Sequence, residues 1–280
     1  MIVQKIILIT GSTDGIGLET ARMLVAQGHH VLLHGRNAKK LENVEQALSG
    51  LAGSGRITSY LADLSRMADV DAFTKAVAEQ HTQLDVLINN AGILRTQESI
   101  TEEGLDVRFA VNAIAPYLIT QRLLPLIGAS GRVINLSSAA QAPVNLDALT
   151  GRVRLSDEME AYAQSKLAIT AWSRVMALSS KGDSPTIIAV NPGSLLGTKM
   201  VKEMLGIPGN DVRIGVETLV RAALSDEFAT ASGKYYYDGD SGRFASPHPD
   251  AMDPERSEGI MRAIEAVLAE TLESYKKSPY

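Results

Sequence analysis

Short apolar runs recur along the chain at Ile6–Ile9, 31–33, Ile57–Leu61, 86–88, 133–136, 187–190 and Tyr235–Tyr237. Each is too short for a helix and rich in β-branched or aromatic residues, so each predicts a strand. Between most of them, apolar side chains fall at helical spacing. Ile16, Thr20, Met23, Leu24 and Gln27 mark one helix face, with Gly28 just past its end as a stop. Val70, Phe73, Ala76 and Val77 mark a second, and another helix is expected over 255–275. Mostly apolar strands alternating with amphipathic helices predict a parallel sheet covered on both faces. Right-handed crossovers make such a sheet doubly wound, and its ligands bind beyond the carboxyl ends of the strands. No linker or break in composition divides residues 1–280, so the chain reads as one domain with a Gly- and Pro-rich extension from about 240.

The first strand runs into Thr10-Gly11-Ser12-Thr13-Asp14-Gly15-Ile16-Gly17, and a helical pattern follows at once. Glycines at such a turn let the backbone approach a pyrophosphate, and the helix start offers free N–H groups and a positive dipole end. No Lys-Ser/Thr follows the last glycine, so this is not a Walker A loop. The second strand ends in His34-Gly35-Arg36-Asn37. It offers no carboxylate for an adenosine ribose and one permanent cation for a 2′-phosphate. That favours NADP(H), with NAD(H) as the alternative. Asp14 pulls the other way by adding negative charge nearby.

Composition narrows the partners. The net charge of −5 leaves no overall electrostatic footprint for nucleic acid, and no polybasic segment holds the chain to a membrane. The chain has no cysteine, which excludes disulfides, thiolate zinc sites and a cysteine nucleophile. His248 has no partner at metal-ligand spacing, so no metal is expected. No apolar stretch approaches the roughly 20 residues of a membrane span, and the expected compartment is the cytoplasm.

Five further pieces sit where ligands should bind. Asp63 and Leu64 follow the third strand, and Asn89, Asn90, Ala91 and Gly92 the fourth. Ser137 and Ser138 follow the fifth, and Asn191, Pro192 and Gly193 the sixth. Tyr162-Ala163-Gln164-Ser165-Lys166 is expected to open a helix. Taken singly, such residues are commonly packing, caps or solvated surface. Together with the glycine turn, over about residues 3–240, they resemble the short-chain dehydrogenase/reductase family.

The resemblance implies a doubly wound Rossmann fold with a seven-stranded parallel sheet and a nicotinamide cofactor. It implies Tyr162 as acid/base group, Lys166 beside it, Ser138 as hydrogen-bond donor and Asn112 in a proton relay. Gly11, Ser12, Thr13, Gly15, Ile16, Gly17, Arg36, Asn37, Asp63, Leu64 and 89–92 would hold the cofactor. So would Tyr162, Lys166, Pro192, Gly193 and Thr198. A tyrosine with a lysine four later on one helix face has its own logic, since a cation near a phenol favours phenolate. On that logic Tyr162 gives a proton in reduction and takes one in oxidation, with a lowered pKa. The substrate would be a small carbonyl or alcohol. A dinucleotide-binding sensor without chemistry is the alternative.

One feature departs from the family pattern. Ser138 and Tyr162 lie 24 positions apart, so the segment 139–161 is lengthened, similar to retinol-dehydrogenase-like and carbonyl-reductase-like members. It is expected near the active-site mouth. Residues 198–205, with Met200 and Met204, read as a lid or as core filler. The helices near 105–127 and 162–178 are apolar around more than one face. That predicts a homodimer, unless 139–161 covers them.

Overall fold

A computed structural model of the chain describes residues 3–51, 55–180, 182, 184–238 and 242–277. Strands and helices alternate first as β1 Ile6–Ile9, α1 Gly15–Ala26, β2 His30–Gly35, α2 Ala38–Ser49, β3 Ile57–Leu61, α3 Met67–Gln80 and β4 Leu84–Asn89. Next come α4 Val107–Phe109, a π-helical turn Ala110–Ile114, α5 Ala115–Leu123 and β5 Ile127–Leu136. Then follow α6 Leu146–Leu149, α7 Glu158–Ser179, β6 Thr186–Asn191, α8 Lys199–Leu205, α9 Val212–Leu224 and β7 Tyr235–Tyr237. The last elements are β8 Arg243–Ala245, α10 Pro249–Met252 and α11 Pro254–Lys277. Helix α1 stops where expected: Gly28 takes φ +89°, a left-handed conformation that suits glycine.

The strands form one sheet in the order β3-β2-β1-β4-β5-β6-β7-β8. Seven run parallel, as expected, and β8 adds an antiparallel edge to β7. This eighth strand lies in the Gly- and Pro-rich extension, outside the apolar runs that predict strands. Three residues are too few to show a period, and packing places them. The Phe244 ring stands 5.4 Å from those of both Tyr236 and Phe228.

Successive residues of a strand face opposite ways. Leu8 therefore joins the apolar layer under α3, α5 and α7, while Ile7 and Ile9 join the layer under α1, α2 and α9. The order reverses between β1 and β4, which opens the crevice at their carboxyl ends.

Helix α7 buries Leu167, Ala168, Ile169, Ala171 and Trp172. Its second cover comes from the C-terminal helices of the same chain. Ile260, Ile264, Val267 and Leu268 of α11 belong to the same apolar cluster. Tyr117 stands edge-on to Trp172 at 5.4 Å, and its hydroxyl donates to Glu265 Oε1 at 2.6 Å. The all-round apolar character that suggested a dimer is thus met within the chain, by α11 more than by 139–161.

Candidate active site

The carboxyl ends of the central strands open on a cleft of about 690 Å³. At one end lies the glycine turn, with Gly11, Thr13, Gly15, Ile16 and Gly17 in its wall. Asp14 caps α1 by accepting from Gly15 N at 2.8 Å, which explains an acid inside this loop. Gly11 and Gly15 take φ +64° and +56°, and a Cβ on Gly11 would stand 2.8 Å from Ala91 Cα. Asn90 staples the switch point. Its Nδ2 donates to Thr10 O at 2.9 Å and Gly11 O at 3.0 Å, and its N–H to Thr10 Oγ1 at 3.0 Å.

Arg36, Lys40, Asp63 and Leu64 border the next part of the cleft, and Arg36 and Lys40 are exposed. Gly35 carries no side chain for a steric reason: a Cβ there would meet Thr13 Cγ2 at 2.5 Å. Three residues expected to touch a cofactor lie outside the cleft wall. Ser12 is buried and bonds the His34 backbone, its Oγ accepting at 2.9 Å. Asn37 caps α2 by accepting from Lys40 N at 2.9 Å. Asn89 points into the interior, donating to Thr120 Oγ1 and Asn135 Oδ1 at 3.0 and 2.8 Å.

At the far end stand Ser138, Tyr162 and Lys166, with Ala91 and Gly92 opposite and Pro192, Gly193 and Thr198 in the same wall. Helix α7 begins at Glu158 under an Asp157 cap, so Tyr162 lies in its second turn rather than opening it. The Ser138 hydroxyl is hydrogen-bonded to the phenol. Lys166 Nζ stands 5.7 Å from the Tyr162 ring centroid and donates to Leu136 O at 2.8 Å. Burial pushes Lys166 down to about 8. Burial also raises the Tyr162 phenol, opposed by the Ser138 bond. This corrects the expectation of a lowered tyrosine pKa: desolvation outweighs what favours phenolate.

Asn112 is fully buried on the π-helical turn. Its Oδ1 accepts from Ile93 N at 2.8 Å, and its Nδ2 donates to Ile93 O and Ser165 Oγ, each at 2.9 Å. It lies behind the wall, gripping the turn after Gly92. Gln141 and Tyr235 escaped the reading of the sequence. Gln141 Nε2 and the Tyr235 hydroxyl both donate to the Ser138 carbonyl, at 2.9 and 3.0 Å. Nothing in the spacing of either residue signals that contact.

Beyond Tyr162 the wall turns apolar, with Leu94, Ala139, Ala140, Met159, Leu195 and Met200. The lengthened segment therefore supplies part of this mouth, as expected. Thr198 caps α8, and Arg95 Nη1 ties that helix down by donating to Glu203 O at 3.0 Å. The side chains of Met204 and Leu205, part of the expected lid, lie outside the described residues, as does Gly239 of the tail. His248 caps α10. Among the described residues no helix is long and apolar enough to cross a membrane.

Comparison with known proteins agrees with this geometry. The family model described as short chain dehydrogenase matches residues 5–205. Human retinol dehydrogenase 13 is 29% identical over 269 residues, covering 90% of this chain and 80% of its own. The chloroplastic short-chain dehydrogenase TIC 32 A of Brassica napus is 32% identical over 254 residues, covering 82% and 79%. A crystal structure of an uncharacterized protein from Mycobacterium paratuberculosis superposes with TM-score 0.79 at 25% identity, covering 95% of this chain and 94% of that one. The NADP complex of Pseudomonas aeruginosa RhlG shares the fold, at TM-score 0.65 and 24% identity over 84% and 94% of the two chains. A glycine turn at the β1/β4 crevice, a Tyr-x-x-x-Lys helix beside a serine and a family match over most of its length place the chain in the short-chain dehydrogenase family of oxidoreductases.

Proposed function

We propose that the chain is an NADP(H)-dependent oxidoreductase that interconverts a carbonyl and an alcohol on a small organic substrate, with Tyr162 as acid/base group. One observation carries this reading. Tyr162, Ser138 and Lys166 meet at one end of the cleft whose other end is the glycine turn with Arg36 and Lys40. The residues fit a dinucleotide. Gly11 and Gly17 let the turn pack directly on Ala91 and Asn90, where a Cβ would clash, and so hold its backbone at the cleft wall; two exposed cations border the end where a 2′-phosphate would lie.

A nicotinamide dinucleotide supplies or takes up the hydride when bound. The chain supplies the proton. In reduction the Tyr162 phenol gives its proton to the carbonyl oxygen, and the Ser138 hydroxyl donates a hydrogen bond to that oxygen as charge develops. Burial raises the phenol, so Tyr162 keeps its proton at neutral pH and is ready to act as the acid in reduction. The Lys166 ammonium stands close enough to offset negative charge on the phenol. Asn112 fixes the Ile93 main chain beside the cleft. The apolar mouth suits uncharged carbonyls. Relatives named retinol dehydrogenase and polyprenol dehydrogenase support an alcohol/carbonyl pair. With α11 packed along α7, the chain works as one domain and as a monomer.

The test is loss of reduced-nicotinamide absorbance with a panel of aldehydes, ketones and quinones, beside fluorescence titration of both cofactors. Turnover of an uncharged carbonyl and tighter NADPH than NADH binding are expected. Tighter NADH binding, or none of either, contradicts the reading.

A further inference from the structure

We propose that His34 is a positioning residue for the phosphate-binding turn, acting as a neutral imidazole that fixes the Gly11 amide. The proposal rests on the reading that the cleft holds a dinucleotide. His34 is the penultimate residue of β2, is 3% exposed and borders the cleft. Its Nδ1 accepts from Gly11 N at 3.1 Å, and its Nε2 faces Ala62 O at 3.2 Å. An amide N–H donor on one side and a carbonyl acceptor on the other require one tautomer: Nδ1 bare, Nε2 protonated. A second proton would set an N–H against the Gly11 N–H.

The surroundings agree with a neutral ring. Burial drives the His34 pKa down to about 4, against a weaker upward pull from the Ala62 carbonyl and the Asp63 carboxylate. The ring packs on Phe73 at 5.0 Å between centroids. The His34 backbone is held as well: Ser12 N donates to His34 O at 3.0 Å, and His34 N to Ser12 Oγ at 2.9 Å. One residue therefore ties together the ends of β1, β2 and β3. These ends carry Gly11, Arg36 and Asp63, the start, cation and acid of the expected dinucleotide site. Gly11 sits at φ +64°, and a Cβ there would meet Ala91 Cα at 2.8 Å, so the turn is close-packed where its amide is held. Among the described residues, His34 Nδ1 is the acceptor that meets it.

Fluorescence titration of NADPH against the full chain tests this, with His34→Leu and His34→Asn. Leucine keeps bulk and removes the acceptor, whereas Asn Oδ1 can stand where Nδ1 stood. Both lose the Ala62 bond, so their melting temperatures should fall together. Their affinities should separate: Kd rises about tenfold for His34→Leu and stays within about threefold of the parent for His34→Asn. If His34→Leu does not fold, His34→Gln replaces it. Its acceptor reaches the Nε2 position instead, so it should bind as weakly as expected for leucine. Equal loss in the asparagine and the comparison variant, or parental affinity in both, overturns the role of His34. No NADPH binding by the parent overturns the dinucleotide reading itself, and this proposal with it.

Discussion

Lys166 and Tyr162 share one helix face and one cause of perturbation, and burial acts on them in opposite senses. It lowers the ammonium to about 8 and raises the phenol. At neutral pH this leaves a cation beside a neutral acid. The Lys166 charge is present below about pH 8 and lost above it, so NADPH-dependent reduction should decline as pH rises through that value. Lys166→Met should lose activity and weaken NADPH binding at every pH. A pH–rate profile of the parent that stays flat from 7 to 9.5 contradicts the assignment. At the other end of the cleft, Arg36→Asp exchanges attraction for repulsion and should weaken NADPH binding by about 1–3 kcal/mol. Fluorescence titration reads this directly, and unchanged NADPH affinity means that Arg36 does not face the phosphate.

At the scale of elements, the turn after β1 and the end of β2 are built as a pair. Thr13 fills the space above Gly35, so a carboxylate installed there alone must displace the Thr13 side chain. Gly35→Asp should destabilise the fold by about 1–3 kcal/mol, the usual cost of overpacking. Adding Thr13→Gly should restore part of that loss. Urea unfolding of the three variants checks both statements, and a fully stable single variant contradicts the first. The central strands were legible because both of their faces are buried, so Ile7, Leu8 and Ile9 are apolar without alternation. The start of α7 was not, because its first turn, Glu158-Met159-Glu160, is mostly polar and resembles loop until its Asp157 cap is seen. The π-helical turn under Asn112 leaves no mark in the sequence. The parts played by His34 and Tyr235 depend on partners 23 and 97 positions away, met only through space, and Gln141 reaches Ser138 three positions back through an irregular turn that spacing does not signal.

For the molecule as a whole, α11 decides which surface is left outside. Ile260, Ile264, Val267 and Leu268 are buried on the layer that contains Tyr117 and Trp172. Light scattering should give the mass of one 29.9 kDa chain at micromolar concentration. Removing the chain from Pro254 onward should expose that layer and produce self-association or loss of the folded state. A truncated chain that stays monomeric and melts like the parent contradicts the covering role. The central claim concerns Tyr162, and one comparison tests it most directly. Initial rates of NADPH oxidation are measured for the parent and Tyr162→Phe, with a ketone that the parent reduces and saturating cofactor. The substitution removes only the hydroxyl, so NADPH affinity should persist while the rate falls by about 10²–10⁴. Near-parental turnover by Tyr162→Phe would contradict the account.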